Sequence, residues 1–596
     1  MDIFTTIEQL YKQGVFTDLD IYFAKFILTL AQNNNNEELL LSSVLVSHLT
    51  TQGHTGLDLT VWAGQLFPAV SEPGMTTLSC PDLEPWLAAL QKSNSVVGQP
   101  GDYAPLILEQ CRLYLYRYWD YEQQLATHIR VRASRQHVPN VPINYGILTT
   151  RLSHLFIDKN QLPEDKQRQA VLTAVSHQFS VISGGPGTGK TTTIIKILVL
   201  LLQENLNLTI ALAAPTGKAA ARLQETIKQT LPQLNCAEQI KLAVPREAYT
   251  IHRLLSKQFI SSSLPNNMPH LLPYDVVIID EASMVDLALM TQLAQAIPLS
   301  SRWILVGDQD QLTSVEAGSV LKDIGKASDS SPAHFLQNQL VCLDKSYRFK
   351  ENDGIELLAQ AINQGQAETA WQILTTETYP QVTWNQLGTS GNLPFQVLEQ
   401  VITHFQQSLA INQPEVILQQ LEQLKILCAT RWGNYGAIAI NRRLEEELSK
   451  RGLIRTQSPW YHGRPIIITR NDYTLKLFNG DIGIILRDTN SQQRLRAFFP
   501  SLESGQYRCF WPNRLPEHET VYAMTIHKSQ GSEFKQVLIM LPPQFSPLFT
   551  REWIYTGITR AQHGVSIWGD EQVFKAMVAG KMNRVSGLYE KLVKAD

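Results

Sequence analysis

The glycine-rich stretch at residues 184–191 constrains this chain more than any other feature of its sequence. An apolar run from Phe179 to Ser183 enters it, and a helix-like apolar segment from Ile194 to Leu202 leaves it. A strand, a glycine-rich loop and a helix in this order predict a loop whose backbone N–H groups surround a phosphate chain, whereas a chance glycine-rich turn is the alternative. The predicted nucleotide contacts in the loop are Gly184, Gly185, Pro186, Gly187, Thr188, Gly189, Lys190 and Thr191.

Side chains in this loop and after a later strand predict hydrolytic chemistry. Lys190 would reach the β- and γ-phosphates of ATP, and Thr191 would offer its hydroxyl to Mg²⁺. The run Val276 to Ile279 predicts a buried parallel strand that delivers Asp280 and Glu281 to the same sheet edge. Asp280 would hold Mg²⁺ and Glu281 would deprotonate the attacking water. A solvated strand end is the alternative for two adjacent carboxylates, and the upstream loop favours hydrolysis.

Length and composition exclude some classes of protein. A chain of 596 residues, 44% hydrophobic and 18% charged, is long for one core and predicts three or four soluble domains. The net charge of −3 gives no general attraction for nucleic acid, so any DNA contact must come from a local groove. The six scattered cysteines and the lack of a signal peptide or membrane-length apolar run predict a cytoplasmic protein with no membrane partner.

The order of strand-like and helix-like runs predicts an α/β fold with two doubly wound parallel-sheet lobes, at 151–345 and 346–596. Apolar residues at helical spacing predict a small helical domain at 1–110, followed by a linker at 111–150. Three alternating strands separated by turn signals predict a β-barrel inserted into the second lobe at about 464–511.

Two lobes with one phosphate loop predict that ATP lies in the cleft between them. The second lobe should then carry an arginine for the γ-phosphate, and Arg348 and Arg560 are the candidates. An arginine supplied across a cleft contributes ~10³–10⁵ in rate in related phosphoryl-transfer systems. A surface position is the alternative for either residue taken alone.

Ordered segments between about residues 160 and 570 resemble the motifs of superfamily 1 helicases, with wording similar to the RecD branch. The segments are KQRQAV (166–171), AAPTGKAA (213–220), TIHR (250–253), VGDQDQL (306–312), SYR (346–348) and YAMTIHKSQGSEF (522–534). The resemblance implies two RecA-like motor lobes driven by ATP. It also implies that Gln167 reads adenine, that Gln311 couples phosphate state to DNA, that Tyr347 stacks on the base and that Arg348 meets the γ-phosphate.

The same resemblance implies single-strand contacts in both lobes. They are Thr216 and His252 in the first lobe, and Thr525, His527 and Lys528 in the second. Such side chains can hold a strand by its phosphates without reading sequence, and strand-end packing or capping is the alternative for each. The wording of the last motif is more like the branch that moves 5′→3′, so the polarity is an implication of the resemblance alone.

The first 110 residues resemble the amino-terminal domain of RecD subunits of exodeoxyribonuclease V, notably at Leu41 to His48 and at Gly53-His54. This implies a heterotrimer with a RecB-like β chain and a RecC-like γ chain that acts on single strands and double-strand DNA ends, with this domain as the docking surface. The sequence shows neither the helix-hairpin-helix repeats of stand-alone relatives nor a two-metal nuclease pattern.

Two other functions stay open at this point. A stand-alone DNA or RNA helicase would separate strands without β and γ chains. A subunit with a vestigial motor would serve assembly only. The second alternative is disfavoured because the hydrolytic residues and both arginines are intact: Lys190, Asp280, Glu281, Arg348 and Arg560.

Overall fold

The fold is taken from a computed structural model that describes most of the chain. It covers residues 3–593 except 34, 69–75, 135–147, 149, 153–154, 157–164, 257–270, 331–334, 349–352, 388–392, 412 and 502–506. Within these described residues, no helix has the length and apolar character needed to cross a membrane.

The first domain combines helices with a small sheet, whereas the sequence pattern predicted helices alone. Its helices are α1 (Ile3–Lys12), α2 (Asp18–Leu30), α3 (Glu37–Thr51), α4 (Leu59–Trp62) and α5 (Leu83–Lys92). Its strands are β1 (Gly56–Asp58), β2 (Leu66–Phe67), β3 (Leu78–Ser79), β4 (Val97–Gly98), β5 (Leu106–Glu109) and β6 (Arg112–Leu115). Four of them form a sheet in the order β1-β6-β5-β4, and the predicted boundary near residue 110 falls in the turn between β5 and β6.

Much of the predicted linker at 111–150 is a helix, α6 (Tyr116–Ala133), and residues 135–147 and 149 of that linker lie outside the described residues. Leu125 and Ile129 of α6 belong to the core of the first lobe. Arg132 is fully buried and donates to the carbonyl of Ile297 at 2.6 Å. This segment therefore belongs to the first lobe in packing terms.

The first lobe is the predicted parallel sheet with helices on both faces. Six strands pair in the order β12-β7-β11-β10-β8-β9, all parallel. The strands are β7 (Phe179–Gly184), β8 (Ile210–Ala214), β9 (Ala248–Thr250), β10 (Val276–Ile279), β11 (Arg302–Gly307) and β12 (Leu340–Leu343). The helices are α7 (Lys166–Ser176), α8 (Lys190–Glu204), α9 (Gly217–Thr230), α10 (Glu238–Ala243), α11 (Ile251–Ser256), α12 (Leu287–Ala296) and α13 (Val320–Asp329).

The second lobe is also a parallel sheet, in the order β13-β22-β21-β14-β20. Its strands are β13 (Val382–Gln386), β14 (Leu424–Cys428), β20 (Ala523–Thr525), β21 (Phe534–Met540) and β22 (Ala561–Gly569). Its helices are α14 (Gly354–Asn363), α15 (Ala367–Thr375), α16 (Phe395–Ile411), α17 (Pro414–Gln420), α18 (Ala437–Lys450), α19 (Arg551–Ile558) and α20 (Glu571–Ala579). The α/β class with parallel sheets is therefore confirmed.

An antiparallel sheet of five strands interrupts the second lobe. Its strands are β15 (Arg464–Ile468), β16 (Ile482–Asp488), β17 (Arg494–Pro500), β18 (Tyr507–Phe510) and β19 (His518–Thr520). They pair in the order β18-β17-β16-β15-β19, so the two end strands lie at opposite edges and do not pair among the described residues. The insertion is thus an open sheet in the structure, extends beyond the predicted limit of residue 511, and closure into a barrel is not confirmed.

A segment after the second lobe returns to the first lobe and the first domain. Residues 584–593, here called the strap, end in helix α21 (Leu588–Val593), which packs on α6 and α13. Lys591 Nζ contacts Glu109 Oε2 at 2.7 Å and the fully buried Glu122 Oε2 at 3.1 Å. The amide of Val585 donates to His54 Nδ1 at 3.0 Å. The predicted second lobe at 346–596 therefore includes a segment that packs elsewhere.

Candidate nucleotide and single-strand site

The glycine-rich loop links β7 to α8, as the sequence predicts. Gly187 and Gly189 have φ values of 76° and 81°, a region that side chains with a Cβ rarely adopt. A Cβ at Gly187 would also clash with Arg348. Lys190 Nζ donates to the carbonyls of Gly184 at 2.7 Å and Gly185 at 3.0 Å, so the ammonium lies over the loop. The loop thus has the open backbone and the cation that a phosphate chain requires.

Gln167 supports this loop from behind. The side chain is buried, and its Nε2 donates to the carbonyl of Thr188 at 2.9 Å. Lys196 Nζ approaches its Oε1 at 3.5 Å, while Thr188 Oγ1 donates to the carbonyl of Gly185 at 2.8 Å. The structure therefore places Gln167 against the loop backbone, and adenine reading by this residue stays a prediction.

The predicted carboxylates follow β10 directly, at the same sheet edge as the loop. Glu281 has a left-handed backbone (φ 53°), and its amide donates to Asp280 Oδ1 at 2.9 Å. Burial, and then the charge of Glu281, raise the pKa of Asp280 to about 6, against the opposing effects of Lys190 and Arg222. Burial and the charge of Glu281 destabilise the anionic form of Asp280, and a bound cation would stabilise that form. Hard oxygen donors such as Asp280 and the Thr191 hydroxyl fit Mg²⁺.

Asp308 joins the predicted coupling residue Gln311 to the second lobe. Its Nε2 donates to Asp308 Oδ2 at 2.9 Å, and Tyr555 of the second lobe donates to the same oxygen at 3.2 Å. Burial raises the pKa of Asp308, and the charge of Lys190 opposes this effect. The amide of Leu312 donates to Thr556 Oγ1 at 2.9 Å, again across the two lobes. Gln311 thus lies where nucleotide-side and second-lobe groups meet.

Both predicted arginines lie near this cleft, and Arg348 belongs to an ionic cluster around Glu533. Glu533 Oε1 accepts from Arg222 of the first lobe and from Arg348, and these two cations hold its pKa at about 2 although burial opposes them. Arg348 Nη1 also donates to the carbonyl of Thr559 at 3.2 Å. The guanidinium of Arg560 is buried and donates through Nε to the carbonyl of Thr556 at 3.1 Å.

Tyr347 stands beside the glycine-rich loop. Its amide donates to the carbonyl of Gly187 at 2.8 Å, and its ring is about half exposed. A Cβ at Gly189 would lie 3.9 Å from the Tyr347 ring. This placement is compatible with the predicted stacking on a base.

A groove of about 1180 Å³ runs between the first lobe and the insertion of the second. His252 lines it and is exposed. Further cationic and aromatic lining residues are Lys218, Arg222, Arg253, Tyr473, Lys476, Phe478 and Arg508. The lining also carries five carboxylates, equal in number to its lysines and arginines, so the groove offers individual cations and aromatic rings to a strand rather than a net positive surface: Glu225, Glu247, Glu422, Asp481 and Glu533.

The other four predicted strand contacts lie at element ends. Thr216 caps α9 by accepting from the Ala219 amide at 3.2 Å. Thr525 ends β20 and accepts from the Lys528 amide at 3.3 Å, while Lys528 Nζ pairs with Glu519 at 2.7 Å.

His527 is the predicted contact that the structure supports least. Its ring packs edge-on against Trp553, with centroids 4.4 Å apart. Burial and the nearby Arg584 lower its pKa to about 4, so it is neutral at pH 7. It therefore lacks the positive charge that would attract a phosphate.

The sequence assigned no role to several residues of this site. Glu533 stands inside a quoted motif but looks there like an ordinary polar position, whereas Arg222 and Tyr555 lie outside every quoted motif. Their roles depend on contacts between positions far apart in the chain, such as Arg222 with Glu533. The sequence offers one hint for Arg222: it lies six residues after Thr216, in the helix that Thr216 caps.

Comparison with known proteins agrees with this geometry. The family model for the N-terminal domain of the RecBCD enzyme subunit RecD matches residues 12–114, an AAA domain model matches 167–317, and a UvrD-like helicase C-terminal domain model matches 520–568. The RecBCD enzyme subunit RecD of Haemophilus influenzae is 31% identical over 98% of this chain and 98% of its own. The chain belongs to the RecD family. The RecD subunit of Mycolicibacterium smegmatis is 35% identical over 96% of this chain and 97% of its own.

A DNA helicase named RecD2 matches a smaller part of this chain than the RecD subunits do. The ATP-dependent RecD2 DNA helicase of Deinococcus radiodurans is 30% identical over 67% of this chain and 48% of its own. A solved Pif1 helicase from Candida albicans covers 70% of this chain and 96% of its own at 15% identity and a TM-score of 0.38. The prediction of an ATP-dependent helicase of the RecD branch is confirmed, and the subunit assignment is favoured over a stand-alone enzyme.

Proposed function

We propose that this RecD-family chain is the 5′→3′ single-strand translocase of a RecBCD-type helicase–nuclease that processes double-strand DNA ends. One observation carries the motor part of the proposal: residues of both lobes converge on the glycine-rich loop. The amide of Tyr347 donates to the carbonyl of Gly187 at 2.8 Å, a Cβ at Gly187 would clash with Arg348, and Tyr555 reaches Asp308 across the cleft. ATP bound there would favour lobe closure, and its hydrolysis would release it. The name of the mycobacterial and Haemophilus relatives supports the assembly.

The hydrolytic roles follow from the residues of the first lobe. Lys190 would neutralise the transferring phosphoryl group. Thr191 and Asp280 would hold Mg²⁺, which would supply charge neutralisation of the phosphates. Glu281 would accept the proton of the attacking water. From the second lobe, Arg348 and Arg560 would stabilise the charge that develops in the transition state, and burial in the cleft strengthens such contacts.

The strand would lie across both lobes and be held by its phosphates. His252 lines the groove, and Thr216, Thr525 and Lys528 stand at element ends on either side of the cleft. Gln311 would transmit the nucleotide state, because it shares Asp308 with Tyr555 of the other lobe. His527 would support Thr525 and Lys528 through packing rather than by charge.

We place the assembly surface on α2 of the first domain. Leu19, Tyr22, Phe26 and Leu30 are 64%, 69%, 57% and 44% exposed, and their spacing puts them on one helix face. An apolar stripe of this kind on a helix marks an interaction surface. RecB-like β and RecC-like γ chains are the proposed partners, and a cytoplasmic location agrees with the six free thiols.

Two substitutions in the nucleotide site test the motor. Lys190→Gln should reduce DNA-stimulated ATP hydrolysis by at least about 10²-fold because it removes a cation from the transition state. Glu281→Gln should lose hydrolysis but keep ATP-dependent binding of single-stranded DNA, since Asp280 remains to hold the metal. Steady-state hydrolysis, filter binding and thermal melting are the measurements, with Lys92→Gln, an exposed site on α5, as the control. Wild-type turnover by Lys190→Gln would refute the nucleotide site.

The stand-alone alternative has its own test. The purified chain alone and the chain co-expressed with its β and γ partners are compared on a duplex with a 5′ overhang. Unwinding by the isolated chain at the rate of the complex would favour a self-sufficient helicase. If the isolated chain unwound a duplex that carries only a 3′ overhang, this result would contradict the proposed polarity.

A further inference from the structure

The loop between β14 and α18 is a tightly hydrogen-bonded turn. Thr430 Oγ1 donates to the carbonyl of Trp432 at 2.8 Å, and the amide of Ala437 donates to the carbonyl of Thr430 at 3.0 Å. The amide of Gly436 donates to the carbonyl of Gly433 at 3.0 Å, and a Cβ at Gly436 would clash with the carbonyl of Trp432. The turn therefore fixes the backbone that carries Trp432.

This fixed turn presents a large aromatic surface to solvent. Trp432 is 69% exposed, and the guanidinium carbon of Arg431 lies 5.4 Å from the centre of its ring. A tryptophan held in this way gains little from burial in the folded chain, so packing does not explain its position. An exposed indole beside a cation offers a flat face on which a base can stack and a positive charge for the phosphate next to that base.

The turn lies at the edge of the second lobe where the strand contacts are proposed. Strands β14 and β20 are parallel neighbours, with Cys428 paired to Thr525. Carboxyl ends of adjacent parallel strands share one edge, which is the usual place for a ligand. Glu519 bridges the two segments, since Oε1 accepts from Arg431 at 2.6 Å and Oε2 from Lys528 at 2.7 Å.

We propose that Trp432 is a stacking platform for one base of the bound single strand, with Arg431 contacting a neighbouring phosphate. The inference rests on the proposed function and adds to it a base contact that the phosphate-holding residues do not provide. Every base has a flat π-face, so the platform would grip any sequence, as a translocase requires. Charge complementarity favours a nucleic-acid strand over an apolar protein segment, because Arg431 and Lys528 share the single carboxylate of Glu519 and these three groups keep one net positive charge at this edge.

The decisive experiment pairs removal of the indole with removal of the base. Full-length wild type, Trp432→Ala and Trp432→Phe are titrated with short oligothymidylate and with an abasic strand of the same length, without nucleotide and with ADP. Trp432→Ala should bind oligothymidylate on the order of tenfold more weakly. Trp432→Phe should keep most of the affinity, and all three proteins should bind the abasic strand equally. Tyr103→Ala, an exposed aromatic of the first domain, is the matched control.

Each other outcome has a distinct meaning. If Trp432→Ala weakens both strands equally, the indole does not stack on a base and the inference is wrong. If Trp432→Ala keeps its affinity for oligothymidylate but no longer co-purifies with β and γ chains, the ring belongs to a protein interface and the inference is also wrong. If the wild type binds neither strand, the proposed function itself fails, together with the stacking role that rests on it.

Discussion

At the scale of single residues, Glu533 is one of the points where the two lobes meet. One carboxylate oxygen accepts from Arg222 of the first lobe and from Arg348 beside the glycine-rich loop. Arg222 also lines the groove proposed for the strand. The nearby charges of Glu281 and Asp280 favour its protonated form. The γ-phosphate assigned to Arg348 would compete with Glu533 for the same guanidinium. Glu533 is therefore a counter-ion both for an arginine of the nucleotide site and for an arginine of the strand groove.

This sharing predicts non-additive effects of substitutions in the cluster. Arg222→Gln and Glu533→Gln should each reduce the stimulation of ATP hydrolysis by DNA by about tenfold, because each removes the ion pair between Arg222 and Glu533 that links the two lobes. The double variant should be little worse than either single one, with a coupling free energy of about 0.5–3 kcal/mol. A double-mutant cycle on ATP hydrolysis with and without oligothymidylate measures it. Glu399→Gln, in an exposed pair with Arg451, is the control, and simple additivity would contradict the shared role.

The roles of residues that lie in short sequence motifs could be predicted from the sequence. The roles of residues that depend on a contact with a distant part of the chain could not. Lys190, Asp280 and Glu281 follow strands whose apolar runs are plain in the sequence, so their common sheet edge follows from topology. Arg222 and Glu533 are 311 positions apart, and no local pattern links them. His527 matches a motif, but its packing against Trp553 is visible only in three dimensions.

At the scale of elements, helices were easier to predict than the short strands between them. Strands β2, β3 and β4 have two residues each, too few for an alternating pattern, and their pairing depends on neighbours. The insertion shows the same limit, because its turns and strands are local whereas the pairing of its edges is not. Helix α2 differs from these strands. The spacing of its apolar residues predicts the helix, and the structure adds which of these residues are exposed.

That stripe leads to a prediction about assembly. Replacing Tyr22 and Phe26 together with Lys should abolish co-purification with β and γ chains, because charges would enter an apolar interface. DNA-stimulated ATP hydrolysis by the isolated chain should stay within about twofold of wild type, since α2 lies outside the motor. Affinity purification of the co-expressed complex measures the effect. Leu242→Lys, an exposed position on α10, is the control. Assembly by the double variant would move the surface to another part of the chain.

At the scale of the whole molecule, the strap joins parts that the lobes alone would leave separate. It leaves the second lobe, contacts His54 and Thr55 of the first domain, and inserts α21 against α6 and α13. Lys591 is the counter-ion of Glu122, a carboxylate with no exposed surface. The strap therefore contributes both apolar packing and charge compensation to a core that lies far from it in sequence.

Removing that counter-ion should destabilise the fold. Lys591→Met should lower the free energy of unfolding by about 3–5 kcal/mol, because it leaves Glu122 buried and unpaired. Adding Glu122→Gln to the variant should restore part of the loss. Urea unfolding followed by tryptophan fluorescence measures both, with Lys535→Met, an exposed position, as the control. An unchanged unfolding curve for Lys591→Met would show that the ion pair between Lys591 and Glu122 does not stabilise the fold.

The position of α21 also has a consequence for synthesis on the ribosome. Leu588 and Leu592 complete the apolar core of the first lobe, yet they are translated after the entire second lobe. Domains fold as they emerge, so the nascent first lobe carries an open apolar slot on α6 and α13 while the second lobe is being made. Chaperones that bind apolar surfaces would recognise that slot. A chain terminated within the second lobe would keep it permanently, which distinguishes unfinished from finished copies before any partner is met.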